Sequence, residues 1–304
     1  MNNLVSDLKS LELDTLKNLR NSKSTNTLRA YKADFKDFTA FCIKNGFKHL
    51  PTEPKILSVY LTYLSKSSKF STLKRRIAAI SVIHRLSGHY LDTKHPLITE
   101  NLMGIKRIIG SYQKGKKPIL INDLKLIVNV IDKEEKEINK NKNKALILIG
   151  FAGGFRRSEL VAIEYEDIEF VSEGVKIFVK RSKTDQSGEG LTKAIPYFSN
   201  FEYFPVKALK KWLEKSEIKS GKIFCISDKS VALIIKKYAL LAGLDSTKYA
   251  GHSLRSGFAT STAELGAQER SIMAMTGHKT TQMVRRYIKE ANLFKNNALN
   301  KIKI

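Results

Sequence analysis

The first hundred residues repeat one pattern, apolar positions three or four apart with charged residues between them. Leu28, Tyr31, Phe35, Phe38, Phe41 and Cys42 form such a stripe, and Ile56, Tyr60, Leu61 and Leu64 form another after Pro54. That period matches one face of an α-helix, so both segments are read as core-facing helices. A third helix is predicted from Ser71 through Leu73, Ile77, Ile80, Ile83 and Leu86 to a stop at Gly88, and a fourth over Pro96 to Ile109. Lys74, Arg75, Arg76 and Arg85 fall on the other faces of the third helix.

The period then breaks. Between Gly110 and Pro118 the stretch SYQKGKKP loses apolar spacing, gains Gly and Pro, and carries three lysines. This is the composition of an exposed connection. A chain of 304 residues also exceeds what one core usually organises. The expected division is a helical domain over 1–110, a linker over 111–118 and a second domain over 119–304.

In the second domain, Asn122 to Ile131 and Lys144 to Phe151 have helical spacing. Ile168 to Val171 and Val175 to Val179 alternate around Gly174 like a hairpin, and Leu191 to Pro196 offers a further strand. Helical patterns return from Tyr203 through Trp212, Leu233 to Leu241, Leu254 to Leu265 and Met283 to Ile288. The NKNKNK run at Asn139 to Lys144 is read as a solvated loop. The predicted fold class is mainly α with a small antiparallel sheet.

Charge narrows the partner. Lys and Arg number 54 against 29 Asp and Glu, a formal net charge of +25. Such an excess calls for a polyanion, and nucleic acid leads, although a chain rich in Lys, Asn and Ile also reflects the base composition of a genome. No long uncharged apolar stretch and no leader-like N-terminus is present, so no membrane partner and a cytoplasmic location are expected. Cys42 and Cys225 lie far apart without metal-ligand spacing, so no metal, cofactor or disulfide is expected and both are read as apolar filler.

Four places carry candidate chemistry. Gly153-Gly154-Phe155-Arg156-Arg157-Ser158-Glu159-Leu160 puts Arg156 and Glu159 on one face, with the arginine as a phosphate clamp or the two as a plain ion pair behind a glycine C-cap. Lys180, Arg181 and Lys183 sit at a hairpin tip or an ordinary solvated turn. Gly251-His252-Ser253-Leu254-Arg255 opens a helix, where backbone N–H groups attract anions, or where His252 simply caps and Arg255 lies on the surface. Thr276-Gly277-His278 precedes a helical stretch that ends in Arg285, Arg286 and Tyr287; taken alone, that tyrosine reads as core or interface.

Together these segments, GGFRRSEL, SKTDQ, GHSLRSGFAT and TGHKTTQMVRRYI, resemble the active-site motifs of the tyrosine recombinase, or phage integrase, family. The resemblance runs through both domains. STLKRRIAAISVIHRLSG and AELGAQERSIMAMTGHKTTQMVRRYIKEANL look closest to the Cre-like branch, although Cre carries Trp where His278 stands and most members carry His as here.

The resemblance implies a two-domain, C-shaped clamp on double-stranded DNA, a core-binding helical domain plus a catalytic domain. It implies Tyr287 as nucleophile, Arg156 and Arg255 as phosphate clamps, and His252 and His278 as the imidazoles. Lys183 becomes the hairpin acid and Glu159 the supporting carboxylate. The expected reaction is site-specific cleavage and rejoining of DNA through a 3′-phosphotyrosyl link, with no cofactor. Arg75, Arg76 and Arg85 are candidate DNA contacts. Apolar Leu293, Phe294, Leu299 and Ile302 in the tail suggest docking onto a neighbour in a homo-tetramer on paired sites. The helical domain starts near residue 10 to 25, which leaves no room for an extra arm-binding domain and favours simple core sites. A non-catalytic regulator on the same fold and a type IB-like topoisomerase are the alternatives.

Overall fold

The computed structural model describes residues 8, 10–11, 13–15, 17–18, 22–112, 115–181, 185, 188–197, 204–291 and 298–302, without the side chains of 290, 291, 298 and 301. The chain divides into two compact units, Met1–Lys114 and Gly115–Ile304.

The first unit contains α1 (Thr25–Lys44), α2 (Pro54–Ser65), α3 (Phe70–Leu86) and α4 (Pro96–Ile109). Ser24 caps α1 by accepting from the Thr27 N–H, and α2 and α4 begin on prolines whose missing N–H costs nothing there. The predicted stripes meet in one core of Phe38, Cys42, Leu57, Tyr60, Leu61, Leu73, Ile80, Ile98 and Ile105.

Among the arginines of α3, Arg76 corrects the sequence reading. Its guanidinium donates to the Tyr60 hydroxyl at 2.7 Å, pairs with Asp37, and lies 3.4 Å from Asp34. Asp34 is buried and also pairs with Arg75. A carboxylate removed from water needs such partners, so Arg76 is an internal tie between α1, α2 and α3 and not a free groove contact. Arg75 and Arg85 remain exposed.

In the second unit, α5 (Ile121–Ile131), α6 (Glu137–Ala152) and α7 (Arg157–Leu160) precede a sheet of β1 (Ile168–Val171), β2 (Gly174–Val179) and β3 (Leu191–Pro196), followed by α8 (Pro205–Ser216), α9 (Asp228–Leu241), α10 (Ser253–Glu264), α11 (Glu269–Thr276) and α12 (Thr281–Ala291). The strands pair antiparallel in the order β1-β2-β3, with Ile168 opposite Ile177 and Val175 opposite Ile195. The fold is mostly helical with this small antiparallel sheet, as the spacing predicts.

Helix α6 starts seven residues before the predicted Lys144 and absorbs the run read as a loop. Asn143 donates to the Tyr238 hydroxyl of α9 at 2.9 Å and Asn141 to the Glu137 carbonyl at 2.9 Å, so both buried amides place their N–H groups on partners within the fold, and that burial overrides a loop-like composition. Cys225 is exposed, not core filler, whereas Cys42 is buried. No described helix is long and apolar enough to cross a membrane.

Helix α10 runs through the interior against α6 and α12. Gly257 lets the segment before α5 cross it, since a Cβ there would lie 1.9 Å from the Ile119 carbonyl oxygen. The crossing is fastened by the Ile119 N–H donating to the Ser253 carbonyl at 3.0 Å.

Candidate active site

Two helix ends built on glycine deliver the first residues of the site. Helix α6 stops with Gly154 at φ 54°, the Gly154 N–H returning to Phe151 O at 2.9 Å and the Phe155 N–H to Gly150 O at 3.2 Å. This double bond pattern with a left-handed residue is a Schellman stop. It turns the chain sharply, so that Arg156 stands at the N-cap of α7. Helix α11 ends on Gly277 at φ 62°, whose N–H returns to Met273 O at 2.7 Å, and the next residue is His278.

Arg156 and Glu159 form the expected pair. The Arg156 backbone N–H donates to Glu159 Oε2 at 2.9 Å and its Nη1 to Oε1 at 2.6 Å. Glu159 is buried, so this carboxylate fixes both ends of Arg156. The glycine C-cap and the ion pair are therefore both real, and they are what aims the arginine.

Arg255, on the first turn of α10, is 0% exposed, which removes the surface reading of this residue. Its Nη1 donates to the Gly154 carbonyl at 3.0 Å and its Nη2 lies 3.1 Å from His278 Nε2. His278 Nδ1 is 2.8 Å from Thr276 Oγ1, which in turn donates to the Ile272 carbonyl at 2.5 Å. With its hydroxyl proton spent on that carbonyl, Thr276 accepts from Nδ1–H, leaving Nε2 as a lone pair aimed at Arg255. Burial, then the charges of Arg255 and Arg156, push His278 down to about 4, so the ring is neutral at ordinary pH. Burial and Arg156 lower Arg255 to about 10, where it still carries its charge.

His252 sits just before α10 with an exposed edge, and its Nε2 is 3.3 Å from the Tyr287 hydroxyl. The protein packed around the ring, then Arg255 and Arg156, hold its pKa below the usual histidine value. Tyr287 projects from α12 on the same side as Val284 and Ile288, which pack on Ala259, Ala263 and Ile272. It is half-buried, its ring 6.1 Å from that of His278, and its hydroxyl is not sealed in an apolar interior. Arg156, Glu159, His252, Arg255, His278 and Tyr287 are thus brought together.

Lys183 lies outside the described residues, as do Leu293 and Phe294. Lys180 is tied to Glu164 and, at 3.0 Å, to Asp167, which raise it to about 12. Two residues escaped the sequence reading. Thr276 sets the tautomer of His278. Lys193 of β3 is 1% exposed and shares the face of Leu191 and Ile195, a position that the strand's alternation marks as inward.

Among the described residues, guanidinium groups, imidazoles and one phenol gather in one place with Glu159 tied to Arg156, an arrangement suited to holding a phosphate ester and stabilising charge on it. The profile of the phage integrase family matches residues 119–293. An integrase/recombinase XerD homologue of Selenomonas ruminantium is 44% identical, covering 96% of this chain and 89% of its own, and a tyrosine recombinase XerD of Staphylococcus epidermidis is 26% identical over 86% and 87%. In fold, the chain is similar to the XerH site-specific recombinase bound to a palindromic difH substrate (TM-score 0.62, 18% identity, 81% of this chain and 73% of that one). It is equally similar to a lambda integrase dimer bound to a COC′ core site (TM-score 0.62, 18% identity, 96% and 98%). The chain belongs to the phage integrase family, the site-specific tyrosine recombinases. The XerD-type relatives make the Cre-like likeness the lesser part of the resemblance.

Proposed function

We propose that this recombinase cuts duplex DNA by attack of the Tyr287 hydroxyl on one phosphodiester, forming a 3′-phosphotyrosyl link and releasing a 5′-hydroxyl. The observation that carries the reading is the 3.3 Å approach of His252 Nε2 to the Tyr287 hydroxyl beside Arg255. A neutral His252 takes the phenol proton as the Tyr–O–P bond forms. Arg156 and Arg255 face the non-bridging oxygens, where charge grows in the transition state. His278 orients Arg255, Glu159 orients Arg156, and Lys183 supplies the proton to the departing 5′-oxygen. A new 5′-hydroxyl then attacks the phosphotyrosine, returning the proton to the tyrosine oxygen and resealing the strand without an external energy source.

Double-stranded DNA is the partner supported by the net charge of +25 and by the DNA-bound recombinases of the same fold. Both units contribute to binding it, with Arg75 and Arg85 of α3 as contacts, and four protomers join two paired sites in the cytoplasm. The test is incubation of the protein with the DNA flanking its own gene. A denaturant-resistant protein–DNA band whose sequenced DNA maps to one site supports site-specific recombination. Relaxation of arbitrary supercoiled plasmid would point to a topoisomerase, and binding without any adduct to a regulator.

A further inference from the structure

Lys193 is a lysine buried in the middle of a sheet face, and the reaction just described gives it nothing to do. Its Nζ donates to the Gly153 carbonyl at 2.7 Å and to the Met275 carbonyl at 2.6 Å. It lies 4.0 Å from Glu159 Oε2 and 4.4 Å from the centre of the Phe155 ring. Gly153 closes α6 and Met275 belongs to the last turn of α11. One ammonium group therefore fills the unsatisfied carbonyls at two helix C-termini, where the helix dipoles also favour a cation.

Those two ends launch the site. One residue after Gly153 is the carbonyl that accepts from Arg255, and three after it is Arg156; three residues after Met275 is His278. Strand β3 reinforces the junction, because Leu191 packs so close to Gly277 that a Cβ there would be 3.2 Å from its side chain. We propose that Lys193 is a positioning residue, tying the α6 and α11 termini together so that Arg156 and the His278–Arg255 pair face one phosphate. This rests on the reaction proposed above and deepens it.

Burial pushes Lys193 down to about 7, Glu159 opposes that shift, and Arg255 and Arg156 add to it. Glu159, Arg156 and Arg255 are thus the charged groups that act on it. Both carbonyl contacts need only N–H donors, which the amine keeps in either protonation state. Enclosed at 1% exposure with two carbonyls on its nitrogen, Lys193 does not serve as the leaving-group acid.

The experiment compares covalent adduct formation by the full chain on its DNA site, once with the normal scissile 5′-oxygen and once with sulfur in its place, which departs as thiolate without a proton. Lys193→Met is expected to cleave about a hundredfold more slowly on both substrates, as misplaced catalytic groups do, with DNA affinity unchanged. Lys193→Arg recovers most of that rate by restoring a cation that can reach both carbonyls. Lys183→Ala, by contrast, fails on the oxygen substrate and recovers on the sulfur one. Rescue of Lys193→Met by sulfur would make Lys193 the acid, and wild-type cleavage by a folded Lys193→Met would leave it no role in positioning; either result overturns the proposal. If Lys193→Met does not fold, Lys193→Gln is measured in its place with the same expectation and the same contrary results. The wild-type adduct separates the two readings: its absence sinks both, whereas its presence with unaltered Lys193 variants sinks only the positioning role.

Discussion

Arg255 Nη2 stands 3.1 Å from His278 Nε2, a buried cation facing the lone pair of a neutral ring. Thr276 makes this arrangement possible by accepting from the other ring nitrogen at 2.8 Å. If His278 gained a proton, two buried cations would meet, so the pairing holds only while the ring stays neutral.

The pH dependence follows with a definite sign. His278 is lowered from 6.5 to about 4 in the folded protein, so it binds its proton more readily when unfolded. Its contribution is fully present above about 6.5 and is lost as pH falls toward 4, by up to about 3 kcal/mol. Urea unfolding from pH 7 to 4 should show the wild type losing ground to His278→Gln over that window. Parallel curves for the two proteins would mean that the ring does not titrate as described.

Removing the buried clamp should strike the chemical step. Arg255→Ala is expected to slow adduct formation by about a hundredfold to a thousandfold, some 3 to 4 kcal/mol, the usual loss for one oxyanion donor. Gel-shift affinity for the DNA site should change far less. A variant that binds poorly but cleaves normally once bound would place Arg255 in recognition instead.

The arginines of α3 should separate by role. Arg76→Ala leaves Asp34 buried with one exposed partner and is expected to destabilise the first unit by about 3 kcal/mol in chemical unfolding. Arg85→Ala should leave stability unchanged, weaken DNA binding, and reduce the slope of log affinity against log salt by about one. The reverse pattern would contradict the assignment of Arg76 as an internal tie.

Leu299 and Ile302, 68% and 59% exposed, leave apolar surface in the tail for a neighbour to cover. If the tail docks onto a neighbour as proposed, deletion of residues 292–304 should abolish the proposed four-protomer assembly on paired DNA sites in gel filtration while leaving single-site binding intact. Unchanged assembly and recombination would remove the tail from the interface.

How far the sequence could be read depended on whether a residue's fate is decided locally. The stripes of α1 to α4 and the hairpin around Gly174 are local periodicities, and they formed where spacing placed them. Arg156, His252, Arg255, His278 and Tyr287 were legible because their motifs stand together in order. Helix α6 was only half legible, since Asn141 and Asn143 become helical through bonds to Glu137 and to Tyr238 of a distant helix. Arg76 looked like a surface charge because Asp34 and Asp37 lie some forty residues away in sequence. Lys193 had a usable signal, a charge on the inward phase of the LTKAIP strand, but its purpose appears only when α6 and α11 end beside it.

The central claim, that Tyr287 carries the cut DNA strand, is tested most directly by mass spectrometry of the denatured, protease- and nuclease-digested adduct. A nucleotide-bearing peptide with the phosphate on Tyr287, and no adduct from Tyr287→Phe, is the predicted result. A phosphonucleotide mapped to any other residue, or an adduct that persists in Tyr287→Phe, would contradict it.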